Sequence, residues 1–164
     1  MLNMKVESVD VKAFMNLLLT SGLFDSFEVR GVDVTTLTHF NISGQKSAPE
    51  KAEISIEDAA KPIKATYCKW NEIRPFVLNL IKGGTRPSYM KLIFSMEVDR
   101  IAELHKNGAA MYLNVTYSGE EVYFTSATAQ KGFTLDKSLD HVWEDYLIEF
   151  FKSNGIKAKE IDLE

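Results

Sequence analysis

Apolar positions along the chain switch between a two-residue and a 3.6-residue period, and the switches divide it into elements. Met4, Val6 and Ser8 alternate weakly and predict a short strand, after which Asp10 offers an N-cap oxygen to a helix ending at Gly22. Val11, Phe14, Met15 and Leu18 make that helix's apolar stripe, with Lys12, Asn16 and Thr20 on the opposite side. Arg30-Gly31 reads as a two-residue hairpin turn that sets Val29 against Val32 and Phe27 against Val34. Phe40 and Ile42 continue that apolar face, while His39 points the other way with Leu37 and Asn41. From Gly44 to about Pro62 the pattern is polar and irregular, apart from alternating Ile54 and Ile56, and predicts a mobile segment. Ile63, Ala65 and Tyr67 then alternate again.

Ile73, Phe76, Val77, Leu80 and Ile81 predict a helix over about 70–82 that stops at Gly83-Gly84. Pro75 is expected in its first turn, because a proline further in deletes a backbone hydrogen bond. Met90, Leu92, Phe94 and Met96 alternate as a strand, followed by a short helix from about Val98 to Asn107 that Gly108 ends. Met111, Leu113, Val115 and Tyr117 form one face of the next strand, and a Ser118-Gly119 turn sets Val115 against Val122 and Leu113 against Phe124. Phe133 and Leu135 read as a further strand. The C-terminal helix, about 138–154, has the strongest pattern: Leu139, Val142, Trp143, Tyr146, Leu147, Phe150 and Phe151 lie on one stripe. Each such side chain gains roughly 1.5–3 kcal/mol on burial, so this helix must be docked.

The architecture expected is a single α+β domain over residues 1–164, with a mostly antiparallel sheet and helices packed on it. With 45% hydrophobic and 11% aromatic residues, a chain of 164 can build a full core without disulfides or metals. One cysteine, no secretory-type N-terminus and no apolar run near the ~18 residues of a membrane span predict a cytoplasmic protein that does not bind membranes. Trp70 and Trp143 open two of the helices and read as core residues, with an exposed aromatic partner groove as the other reading.

The element order strand, helix, strands recurs in two halves, about 1–68 and 89–136, joined by the 70–82 helix. Strand-helix-strand-strand-strand given twice resembles one domain of the sliding DNA clamps. KVESVDVKAFMNLLLTSGLFDSFEVRGVDV is similar to the opening strand, helix and hairpin of a clamp, and LNVTYSGEEVYFTSATAQKGFTL to a clamp hairpin. KWNEIRPFVLNLIKGG and FTLDKSLDHVWEDYL also resemble a small bacterial family of unknown function, which implies no activity. A clamp monomer carries two or three such domains, and its helices line a hole for DNA. Here the corresponding outward residues, Lys12, Asn16, Thr20, Asp99, Arg100, Glu103 and Lys106, sum to about +1 and would neutralise few phosphates.

Charge sharpens the functional reading. Residues 61–91 carry net +6 in a chain of net −4. Lys64, Lys69, Trp70, Arg74, Lys82, Arg86 and Lys91 are therefore the candidate binding residues for an anionic partner, protein or nucleic acid, with Tyr67 and Tyr89 also available for stacking. The alternative is solvated lysines scattered over several elements. KGGTRP follows a helix rather than preceding one, so it lacks the amide-lined N-terminus of a phosphate loop. His141 and Asp145 are spaced i, i+4 without a third metal ligand, His39 and His105 have no local partner, and Cys68 lacks an activating spacing. No catalytic, metal or cofactor motif emerges. The leading function is a non-enzymatic binding or assembly module, with clamp-like self-assembly as one form; the alternative is a small hydrolase or transferase whose carboxylate or His site converges from separate strands.

Overall fold

The computed structural model describes residues 1–47, 66–82 and 86–162. Seven strands and four helices follow in the order β1 (Asn3–Val6), α1 (Val11–Thr20), β2 (Glu28–Thr35), β3 (His39–Ser43), α2 (Trp70–Lys82), β4 (Tyr89–Ser95), α3 (Val98–Leu104), β5 (Gly108–Ser118), β6 (Glu121–Gln130), α4 (Ser138–Ser153) and β7 (Ala158–Glu160). The strands form one sheet in the order β3-β2-β4-β5-β6-β1-β7, and every pairing is antiparallel.

All four helices cover the same face. Strand alternation turns Val32 and Val34, Met90, Leu92 and Phe94, Leu113 and Val115, and Val122 and Phe124 towards them, and all are buried. Phe14 of α1 meets Phe124 edge to face at 5.2 Å, while Phe151 of α4 stacks on it at 4.5 Å. Trp70 of α2 stands edge-on to Phe94 at 5.5 Å. Ile101 of α3 packs over Gly108, where an added Cβ would fall 2.7 Å from its Cγ2. Both tryptophans are core: Trp70 Nε1 donates to the Leu18 carbonyl at 2.9 Å, and Trp143 Nε1 to that of Tyr112 at 2.8 Å.

Several expectations are corrected. Arg30-Gly31 is not a turn. β2 runs straight through it, and Arg30 is the extra residue of a bulge between the pairs Val29–Phe94 and Gly31–Ile93. The β2–β3 turn falls after Thr35, although Val34, Phe40 and Ile42 share a face as expected. In the second hairpin the turn is Gly119-Glu120, with φ +58° and +70°, which pairs Val115 with Phe124 and Tyr117 with Val122. The expected register was two residues off. A shift of two leaves every side chain on its own face, so apolar alternation alone cannot detect it.

Phe133 and Leu135 do not form a strand; they lie in an exposed loop. α2 spans the expected 70–82, but Pro75 is its sixth residue and lies beyond the first turn, because the helix starts at Trp70, whose N–H donates to the Phe27 carbonyl while the Glu72 carboxylate accepts from Lys69 N–H. Pro75 has no N–H to donate to the carbonyl of Asn71, an exposed residue. Asp10 makes no side-chain cap. β7 had no sequence signal. The alternations at Ile54, Ile56, Ile63 and Ala65, and Gly83-Gly84, lie outside the described residues.

Strand, helix, strand, strand opens both halves, but pairing differs: β4 pairs with β5 of its own half, whereas β1 pairs with β6 and β7.

Candidate binding surface

The second face of the sheet carries no described helix. Cross-strand register places Asn41, Asp33, Lys91, Thr116, Tyr123, Lys5 and Lys159 in one row across all seven strands. The neighbouring row is Ser43, Gly31, Ile93, Asn114, Thr125 and Asn3. Apart from Ile93, small polar side chains, tyrosines and charged residues thus pave this face, whereas the other is mainly apolar, with Ser126 and Thr128 its polar members.

The bulge at Arg30 shapes one end of it. Arg30 Nε donates to Ser95 Oγ at 3.1 Å, its guanidinium carbon sits 3.7 Å from the Tyr67 ring centroid, and Tyr112 lies 5.6 Å away. Ser95 is buried beneath it. Tyr67 is brought there by a short pairing of the 66–69 segment with the end of β3 and the start of β2, seen in the bridges Gln45–Tyr67 and Glu28–Lys69. Gly44 stands at this crossing, where an added Cβ would fall 1.6 Å from the Val29 carbonyl oxygen. No carboxylate lies within 4 Å of Arg30 or Lys91 among the described residues. Among the described residues Arg30 is therefore held by two aromatic faces and one hydroxyl, and its guanidinium donates to no side chain other than Ser95.

The other charges nearby are engaged. Glu121 accepts from the Tyr123 hydroxyl and from Lys5 Nζ at 3.0 Å; these bonds hold its carboxyl below the ordinary range and raise Tyr123 and Lys5. Asp33 accepts from Asn41 Nδ2 at 2.7 Å and lies 3.3 Å from His39 Nε2. Glu28 is pushed up by burial, against the pull of Arg30.

The basic stretch read from sequence does not form one surface. Lys91 faces the open side of the sheet, whereas α2 lies on the helical side. Lys69 is paired with Glu97 at 2.5 Å, Arg74 with Asp25 at 3.1 Å, and Arg86 with Glu120 at 3.1 Å and the Tyr117 hydroxyl at 3.4 Å. Trp70 is fully buried and has no face for stacking on a partner. Lys82 is exposed at the end of α2, and Lys64 lies outside the described residues. Sequence reasoning passed over Arg30, reading it as a turn residue.

Two hollows were also unforeseen. A cleft of about 660 Å³ between α1, the end of α2 and the β5–β6 turn is lined by Val11, Met15, Leu19, Ile81, Pro87 and Tyr117 together with Lys12, Arg86, Glu120 and Glu121. A second, of about 500 Å³, brings together His105, Asp136 and Ser138. The order of its hydrogen bonds opposes nucleophilic catalysis. His105 Nδ1 accepts from Asn107 N–H at 3.1 Å, so the proton sits on Nε2 and is directed at Ser138 Oγ, 2.8 Å away. Ser138 donates in turn to Asp136 Oδ2 at 2.9 Å, and Asp136 Oδ1 accepts from Ser138 N–H, which lowers the Asp136 carboxyl. In this tautomer His105 cannot take the serine proton; the cluster fixes the start of α4. Among the described residues no group of three or more His, Cys, Asp or Glu could hold a metal, and no helix is long and apolar enough to cross a membrane.

A family model described as a family of unknown function, DUF5721, matches residues 17–159. The chain belongs to this family. The match spans every helix, though α1 only from Leu17, and extends from there into β7. No curated protein and no solved structure matches the chain.

Proposed function

We propose that the protein is a non-enzymatic binding module that engages an anionic partner with the open face of its sheet. The observation that carries the reading is Arg30, fixed beside Tyr67 and Tyr112 by Ser95 and with no carboxylate within 4 Å among the described residues, Glu28 acting on it only from further away. Holding a guanidinium in place before a partner arrives lowers the ordering cost of binding, and a planar fork suits carboxylate and phosphate alike. Lys91 adds a second cation to the same face, and Tyr112 and Tyr123 add aromatic area. A cytoplasmic setting belongs to this proposal and is supported by the lone free thiol of Cys68. Of the sliding-clamp likeness we retain only the recurring element order, and no encirclement of DNA is inferred from it.

The test is retention on immobilised heparin, used as a probe polyanion. Arg30→Glu with Lys91→Glu is expected to elute at markedly lower salt than the parent, while Lys82→Glu, on the helical side, elutes nearly as the parent. Equal elution of parent and double variant, with an unchanged circular dichroism spectrum, would refute the reading.

A further inference from the structure

The loop between β6 and α4 holds Phe133 and Leu135 in water, 91% and 84% exposed. It is not slack. Lys131 N–H donates to the Asn107 carbonyl at 2.9 Å, and the Asn107 side chain both donates to the Gly132 carbonyl and accepts from Gly132 N–H, at 3.1 and 3.0 Å. Thr134 Oγ1 and Asp136 Oδ1 cap the next amides at 3.1 and 2.9 Å. A loop tied down this thoroughly presents two large apolar side chains as a fixed knob, the arrangement of an interface anchor.

The same molecule carries a receptor for such a knob. The cleft of about 660 Å³ has apolar walls from Val11, Met15, Leu19, Ile81 and Tyr117. It sits at the β5–β6 turn, and the knob follows the far end of β6, ten residues away, or roughly 30 Å at strand rise. A chain cannot fill its own cleft across that span. We propose that the protein self-associates head to tail, the Phe133–Leu135 loop of one copy entering the α1 cleft of the next. A heterologous contact of this kind builds rings or open filaments.

Charge favours a second copy over a lipid surface. Around the knob Lys106, Lys131 and Lys137 exceed Asp136 and Asp140 by one charge, far short of the cluster of about 4–8 basic residues that holds a segment on anionic headgroups. Around the cleft Lys12 and Arg86 are cancelled by Glu120 and Glu121. Copies of a chain with net charge −4 repel as wholes, and a knob of about +1 meeting a neutral cleft does not add to that repulsion. The inference stands apart from the anionic-partner reading, because Arg30 and Lys91 belong to neither patch.

Sedimentation velocity on the full chain tests it. The parent is expected to shift to larger species as concentration rises to millimolar, while Phe133→Asp and Met15→Glu each stay monomeric with parental circular dichroism. An equimolar mixture of the two variants is decisive: one intact knob and one intact cleft should give a dimer and nothing larger. A parent that remains monomeric, a mixture that forms no dimer, or a Phe133→Asp variant that still assembles would overturn the proposal. So would a monomeric parent whose Phe133 mediates binding to phosphatidylserine vesicles.

Discussion

The guanidinium carbon of Arg30 lies 3.7 Å from the centroid of the Tyr67 ring, the two residues belonging to segments that the bridges Gln45–Tyr67 and Glu28–Lys69 and the hydrogen bonds of Cys68 with Val29 and Gly44 bring together. An arginine at this position stacks and presents a fork; a lysine does neither. Arg30→Lys is expected to keep the fold and weaken heparin affinity about tenfold, a loss of about 1.4 kcal/mol read by titration calorimetry. Unchanged affinity would mean that the stacked geometry is irrelevant to binding.

Trp70→Phe separates core from surface roles. It preserves most of the packing against Phe94 but leaves the Leu18 carbonyl without its indole donor, at an expected cost of ~1–3 kcal/mol in urea unfolding. Heparin elution should not move. A stable variant with lost retention would place Trp70 at the binding surface and contradict its burial.

Two glycines should rank by what surrounds them. Gly108→Ala drives a methyl to 2.7 Å from Ile101 Cγ2 and 3.2 Å from Leu139 Cδ1, side-chain atoms that can shift, and is expected to cost ~1–3 kcal/mol. Gly44→Ala drives it to 1.6 Å from the Val29 carbonyl oxygen, which is backbone, and should prevent the 66–69 segment from docking. Urea midpoints in the reverse order would contradict the crossing at Gly44.

Glu28 gives a pH signature. Burial raises its folded pKa above the ordinary 4.5, so the native state holds its proton longer than the unfolded chain, and stability falls as pH climbs through that window. Glu28→Gln should therefore raise Tm at pH 7, and the gain should vanish below pH 4.5, where both states are protonated. A gain that persists in acid would point to another cause.

What sequence makes legible is the face a residue takes. The α4 stripe was readable because a helix this apolar on one side must dock: Leu139, Trp143, Leu147 and Phe151 are buried, and Val142, Tyr146 and Phe150 flank them half-buried. Strand alternation likewise sorted Met90, Leu92 and Phe94 from Tyr89 and Lys91. Register was not readable, since Val115 keeps its face whether it opposes Val122 or Phe124, and only the positive φ angles at Gly119 and Glu120 decide. The bulge was hidden because Arg-Gly is also a turn dipeptide, and β7 because Ala158, Lys159 and Glu160 pair at an edge without burying a hydrophobic face. The binding surface itself was the least visible. Charge counted along residues 61–91 takes no account of Glu97, Asp25 and Glu120, which fold back on Lys69, Arg74 and Arg86.

The most direct measurement is a backbone NMR titration of the full chain with a short heparin oligosaccharide. The amides of Arg30, Tyr67, Lys91, Tyr112 and Tyr123 should move together and saturate with one affinity. Shifts confined to α2 and the helical side, with those five amides still, would contradict the assignment of the open sheet face as the binding surface.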